Sequence, residues 1–218
     1  MRRIVVLATI GFLLVLLVVA QLLLPGIAAD TLRDTLSKHG KVLHVEVDAF
    51  PAVELLWHQA DKVVIRMQSY RSDTGGLGSN LSQTGDVGSL DASAGSVDVG
   101  LLALRNASLR KRGDTLTGTA TVTQQDLRAA VPFLDSVEPV ASGNGQLTLR
   151  GTATLLGVTA SVDATVAARN GKLVVAPDIP FGGLATVTVF SNPHVTVDGV
   201  SASARPDGFS VSATGRVR

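Results

Sequence analysis

The chain contains no cysteine. Disulfides, thiolate-held metals and a lipoprotein anchor are thereby excluded, and packing alone must hold the fold. Aromatic residues make up only 4%, with one Trp and one Tyr, while Gly, Ala, Val, Thr and Ser dominate the second half. That composition reads as β-rich with small side chains. The formal net charge is +1, too small a field to gather nucleic acid. Catalytic patterns are also missing. His39, His44, His58 and His194 are scattered, with no pair at metal-ligand spacing on one helix. No G-x-S-x-G elbow surrounds any Ser, and Ser142 lies in a turn, Ala-Ser-Gly-Asn-Gly. The glycines at 75–78 lead into no G-K-[ST], so they open no phosphate loop. Asp61, Asp73, Asp86 and Asp91 form no Asp-rich calcium pattern. The expectation is a protein that is not an enzyme, with no cofactor and no metal.

One long apolar run is present. Met1-Arg2-Arg3 precedes Ile4 to Leu24, interrupted only by Thr9, Gly11 and Gln21. A helix of about 20 apolar residues spans a bilayer core. The arginines ahead of it put the N-terminus in the cytoplasm and the body outside. Cutting after Ala29 would place Ile27 where signal peptidase wants a small residue, so an uncleaved anchor is favoured over a cleaved, exported form. Residues 1–26 are therefore read as a signal-anchor helix and 27–218 as a single extracytoplasmic domain. Ile27 to Lys38 continues as a helix with Ala28, Leu32, Thr35 and Leu36 on one face, and Gly40 stops it.

The body is organised around Lys41 to Arg71. Leu43, Val45, Val47 and Ala49 alternate with His44, Glu46 and Asp48, and Val63, Ile65 and Met67 alternate with polar residues. Both stretches read as strands with one dry and one wet face. Between them Pro51 opens a short helix carrying Val53, Leu56 and Trp57 on one face. The pairing of 41–49 with 62–70 stays open, because the connection is long enough for either sense. Residues 72–100 are rich in Gly and Ser and read as a flexible segment. Leu77, Leu81, Val87 and Leu90 would let it dock as a lid.

From Leu102 onward the pattern is a series of hairpins, with Arg110-Lys111-Arg112-Gly113-Asp114 as a basic tip. Thr123-Gln124-Gln125-Asp126 is a capping box that opens a helix ending at Pro132. Phe133, Leu134 and Val137 form an apolar connector, and Asn170-Gly171 is a strong hairpin turn. One strand face carries Leu116, Gly118, Ala120 and Val122. Others carry Leu149, Gly151, Ala153 and Leu155, and Val158, Ala160, Val162, Ala164 and Val166. Such small residues permit strong coiling, and leave either close packing by a helix or room for a guest.

The order of several motifs resembles the LmeA-like phospholipid-binding family of bacterial envelope proteins. They are Phe50-Pro51 with Leu55-Leu56-Trp57, Ala60-Asp61-Lys62-Val63, Thr121 to Val131, Asn170-Gly171-Lys172-Leu173, Pro180-Phe181-Gly182-Gly183-Leu184, and the closing Gly208 to Arg218. That family is similar to the tubular lipid-binding proteins. The resemblance implies an α+β fold, in which a strongly curved, mainly antiparallel sheet wraps one or more helices and acyl chains occupy the gap. It also implies phospholipid or glycolipid and the cytoplasmic membrane as partners, for lipid transfer or envelope glycolipid maintenance. Our inferred cavity residues are Phe50, Leu56, Trp57, Leu116, Ala120, Val122, Leu127, Val131, Phe133, Leu149, Ala153, Val162, Phe181 and Leu184. Arg110, Lys111 and Arg112 are candidates for headgroup contact. The alternative is a membrane-tethered structural or interaction module with no lipid ligand.

Overall fold

Two turns with both central residues at positive φ set the frame of the C-terminal half. Asn144 and Gly145 adopt φ of 51° and 73°, and Asn170 and Gly171 adopt 51° and 76°. This conformation matches the twist of tight hairpins. The computed structural model describes residues 2–57, 59–72, 87–99, 102–130, 135–155, 157–178 and 186–217, with side chains from Val18 onward. Among these, a long helix α1 (Arg2–Ser37) is followed by β1 (Gly40–Asp48), a 3-10 helix (Ala52–Trp57), β2 (Ala60–Ser72), β3 (Val87–Val99), β4 (Leu102–Arg112) and β5 (Thr115–Thr123). A short helix α2 (Gln124–Ala130) leads to β6 (Ser136–Gly143), β7 (Gln146–Leu155), β8 (Val158–Arg169) and β9 (Lys172–Pro177). β10 (Val187–Phe190), β11 (Val195–Arg205) and β12 (Gly208–Val217) complete the order.

The strands form two sheets, one of seven strands in the order β1-β2-β3-β4-β5-β12-β11 and one of five in the order β10-β9-β8-β7-β6. All named pairs are antiparallel except β2 with β3. The pairing left open in the sequence is thus antiparallel, with Val45 opposite Ile65 and Val47 opposite Val63. The expected flexible stretch 72–100 needs correction: Ser72 ends β2, and Val87–Val99 is a strand running parallel to β2. Residues 73–86, the rest of the expected lid, lie outside the described residues. A second correction is β6, read from sequence as connector and turn but paired along β7.

The dry face of the larger sheet takes the second half of α1. Ala28, Ala29, Leu32 and Leu36 lie against a buried cluster of Val45, Val47, Ala60, Val63 and Leu90. That is the helical face marked by the sequence period, and its burial is what orders the helix against the body. From Val18 on, where side chains are described, no helix is long and apolar enough to cross a membrane. The opposite face of β1 and β2 is charged. Lys62 meets Glu46 at 3.0 Å and Asp48 at 3.4 Å across the strands. The Lys62 contact holds the Glu46 carboxyl below its ordinary value, and Lys62 is raised in return.

Strand β11 lies at the edge of the larger sheet, where free amides would otherwise invite pairing. The two hairpin turns of the smaller sheet cover it. The Val200 amide donates to the Gly145 carbonyl at 3.1 Å, and the Val197 amide to the Gly171 carbonyl at 2.9 Å. The Ala202 amide donates to Ser142 Oγ at 3.1 Å. A Cβ on Gly199 would lie a tight 3.1 Å from the Gly145 Cα, and Gly145 itself has φ of 73°, a conformation that favours glycine. Leu147, Val166 and Val200 then bury together beneath the turns, and Val122, Val137 and Phe209 form a neighbouring cluster. The smaller sheet is therefore pinned to the larger at its turn end.

Candidate functional site

The free end of the smaller sheet is a two-faced ribbon. In β7 and β8, Arg150 pairs with Asp163, Thr152 with Ser161, and Thr154 with Thr159. Each pair is bonded: Arg150 reaches Asp163 with two contacts at 2.7 and 2.8 Å, and the hydroxyl pairs lie at 3.0 and 2.9 Å. The Arg150 guanidinium holds the Asp163 carboxyl below its usual range. That face is satisfied and wet. On the other face Gly151 is opposite Val162, and Ala153 is opposite Ala160. The same face carries Val166 and, one and two strands further, Val175 and Val187. Where it meets β11 it is buried. Beyond that contact Val158 is 68% exposed, Val162 44% and Val187 60%, and Ala160 is exposed beside them.

Strand alternation puts apolar side chains where they will be covered. Here the packed end of the face follows that rule, and the free end carries the same chemistry without a cover among the described residues. The residues are small or β-branched, so the surface is flat enough for an extended hydrocarbon chain. Its aqueous exposure costs about 25 cal/mol for each Å² of apolar area that a guest would cover.

The residues proposed from the sequence separate into four sets. Ala153 and Val162 lie on this open face, half-buried and exposed respectively, and Leu149 sits where the face meets the core. Leu116, Ala120 and Val122 are buried within the larger sheet, and Leu127 packs with Val122, Val137 and Phe209. Phe50, Leu56 and Trp57 are exposed at 76, 61 and 65%, at the corner between β1 and β2. Val131, Phe133, Phe181 and Leu184 lie outside the described residues. Val158, Ala160 and Val187 were not singled out. Their alternation is visible in the sequence, but only the position of β11 tells which part of it stays uncovered.

The basic tip also needs correction. Arg110, Lys111 and Arg112 belong to β4, and the turn is Gly113-Asp114. Lys111 is buried on the dry face, where its ammonium donates to the Val87 carbonyl. Arg110 lies 3.7 Å from Asp91, and Arg112 donates to the Leu90 and Lys111 carbonyls. Arg112 and Asp91 also border a surface depression of about 310 Å³ with His44, Glu46, Lys62 and Arg66. The charges there are mixed and largely paired, so the group offers anionic headgroups no preformed basic cradle. Among the described residues, no cluster of His, Asp and Glu gathers as for a metal ion.

A polar anchor holds the middle of the long helix. Gln21, an interruption in the apolar run, donates from Nε2 to the Ala49 carbonyl at 3.0 Å and accepts from the Ala52 amide at 2.7 Å. The adjoining Phe50 amide donates to Asp61 Oδ2 at 2.7 Å. Helix α1 is thereby fastened to the corner that bears Phe50, Leu56 and Trp57.

A mostly β body of two sheets, a long helix on one of them and, on the other, an apolar face with no cover among the described residues define the architecture. The sequence model described as LmeA-like phospholipid-binding matches residues 18–214, and the chain belongs to that family. Comparison with curated proteins and with solved structures gives no match.

Proposed function

We propose that this is a membrane-anchored extracytoplasmic protein that binds phospholipid or glycolipid by its acyl chains and holds the lipid without transforming it. The apolar face of β7, β8 and β10 carries the reading, because the opposite face of β7 and β8 bears the bonded pairs Arg150–Asp163, Thr152–Ser161 and Thr154–Thr159 while this one lacks a cover among the described residues. Membership of a phospholipid-binding family supports the ligand class. The apolar run Ile4 to Leu24, preceded by Arg2 and Arg3, supports an anchor with the body outside. Lipid held in this way serves transfer or maintenance within the envelope.

The test compares two single substitutions on opposite faces of one strand. Val162→Asp places a charge on the apolar face, and Thr159→Asp places one on the wet face. Each full-length protein is purified in detergent, washed exhaustively and extracted for lipid mass spectrometry. Lipid that merely surrounds the anchor is common to both. The account predicts a stoichiometric phospholipid in the parent and in Thr159→Asp, and its loss in Val162→Asp with little change in denaturant midpoint. Equal lipid in all three would contradict it.

A further inference from the structure

The exposed corner at Phe50, Leu56 and Trp57 is an apolar feature that lipid binding on the smaller sheet leaves unused. It lies beside another apolar surface. The outward face of α1 carries Val18, Val19, Leu22, Leu23 and Ile27, all exposed, and turns charged from Asp30 through Arg33 and Asp34. The polar boundary of the helix surface therefore falls between Ile27 and Asp30. Ile4 to Ile27 is about 36 Å of helix at about 1.5 Å per residue. A hydrocarbon core is about 30 Å thick. The apolar helix is thus about 6 Å longer than the core it would cross, an excess that must be met by tilting or by apolar contact in the interface.

Gln21 fixes where the body sits along that length. Its side chain bonds to Ala49 and Ala52, so the corner is level with Gln21, six positions below Ile27. At about 1.5 Å per residue, that is about 9 Å to the membrane side of the helix's polar boundary. A body standing clear of the bilayer would strand Phe50, Leu56, Trp57 and the apolar outer turn of α1 in water. A corner sunk into the headgroup layer covers all of them, and Trp is the side chain that favours this layer.

We infer that the corner from Phe50 to Trp57 is a membrane foot, which seats the body in the interfacial layer of the bilayer that α1 crosses. The nearby charge is compatible: the Asp61 carboxylate accepts from the Phe50 amide, and Asp48 is 3.4 Å from Lys62. The inference rests on the anchored reading of residues 4–24. It adds that the body is held against the membrane surface.

Trp57 is the only Trp, so its fluorescence reports on this corner alone. The full chain is reconstituted in phosphatidylcholine vesicles containing a chosen fraction of lipid brominated near the headgroup end of its acyl chains. Flotation of the vesicles reads the anchor, and quenching in the floated fraction reads the foot. Expected are quenching that grows in proportion to the brominated fraction and a several-fold loss of sensitivity to aqueous acrylamide. A floated chain whose Trp57 remains open to acrylamide and unquenched by bromine overturns the foot and leaves the anchor standing. Quenching that saturates at one brominated lipid per chain also overturns it, since Trp57 would then border a bound guest. A chain that does not float overturns both readings. In the paired variant Phe50→Asp, Leu56→Asp the chain should still float while bromine quenching is lost. Unchanged quenching there counts against the foot.

Discussion

Among the described residues, Asp126 is a heavily bonded carboxylate. Both its oxygens receive the Arg105 guanidinium, at 2.8 and 3.0 Å, and one also accepts from the Thr123 hydroxyl at 2.7 Å. The Arg105 contact, helped by Thr123, holds its carboxyl below the ordinary 3.8 despite the opposing effect of burial. A carboxyl lowered in the folded state adds stability that is complete above its unfolded value and lost as pH falls through the folded one. Asp126→Asn should therefore be less stable than the parent at neutral pH, by about 2 kcal/mol for lost charge-assisted bonds. The gap should close as pH drops below 3.8. Denaturant midpoints for both proteins across that range check this, and a gap constant with pH would contradict it. The Thr123 cap was visible in the sequence because its partner is local: the Asp126 amide donates to Thr123 Oγ at 3.1 Å. Arg105 was not visible, since nothing in spacing brings β4 to the start of α2. Gln21 misled in the same way. Within an apolar run it reads as a tolerated interruption, and its role depends on Ala49 and Ala52, supplied by a corner far along the chain.

At the scale of elements, strand period was legible wherever large and polar residues alternate, as in β1, β2 and β5, and Asn-Gly marked its turns correctly. It fails for β3, where glycine in the sequence reads as a sign of mobility. Gly88 and Gly95 answer to close approach instead, for a Cβ on either would lie 2.9 Å from a β2 carbonyl, that of Asp61 or of Gln68. Leu90, Ala92 and Ala94 do keep the strand period, but two of the three are too small to stand out against Ser and Asp. Small residues also hid a difference between β5 and β7. Leu116-Thr-Gly-Thr-Ala-Thr121 and Leu149-Arg-Gly-Thr-Ala-Thr154 look alike in sequence, yet Ala120 is 7% exposed and Ala153 only half-buried. Ala120→Phe should overpack the larger sheet and cost about 1 to 3 kcal/mol. Ala153→Phe should leave the denaturant midpoint nearly unchanged while reducing retained lipid. Equal losses of stability would show that the two faces are equally packed and would remove the open face.

The molecule as a whole divides its apolar surface by purpose. One portion fills the core beneath α1 and β11. A second is the one we propose as anchor and foot, and a third, on β7, β8 and β10, is the one we propose for the lipid. The sequence carried the family and the mainly antiparallel sheet, because motif order and strand period are local properties summed along the chain. It could not separate filled from unfilled small-residue faces, which depends on where the hairpin turns dock on β11. The most direct measurement uses a phospholipid bearing a diazirine near the end of one acyl chain. It is equilibrated with the full-length protein in vesicles, photolysed, and the labelled peptides are mapped. The account predicts label on residues 151–162 and around Val187, in addition to that on α1 from the surrounding bilayer. Label confined to α1 and the Trp57 corner would contradict lipid binding on the smaller sheet.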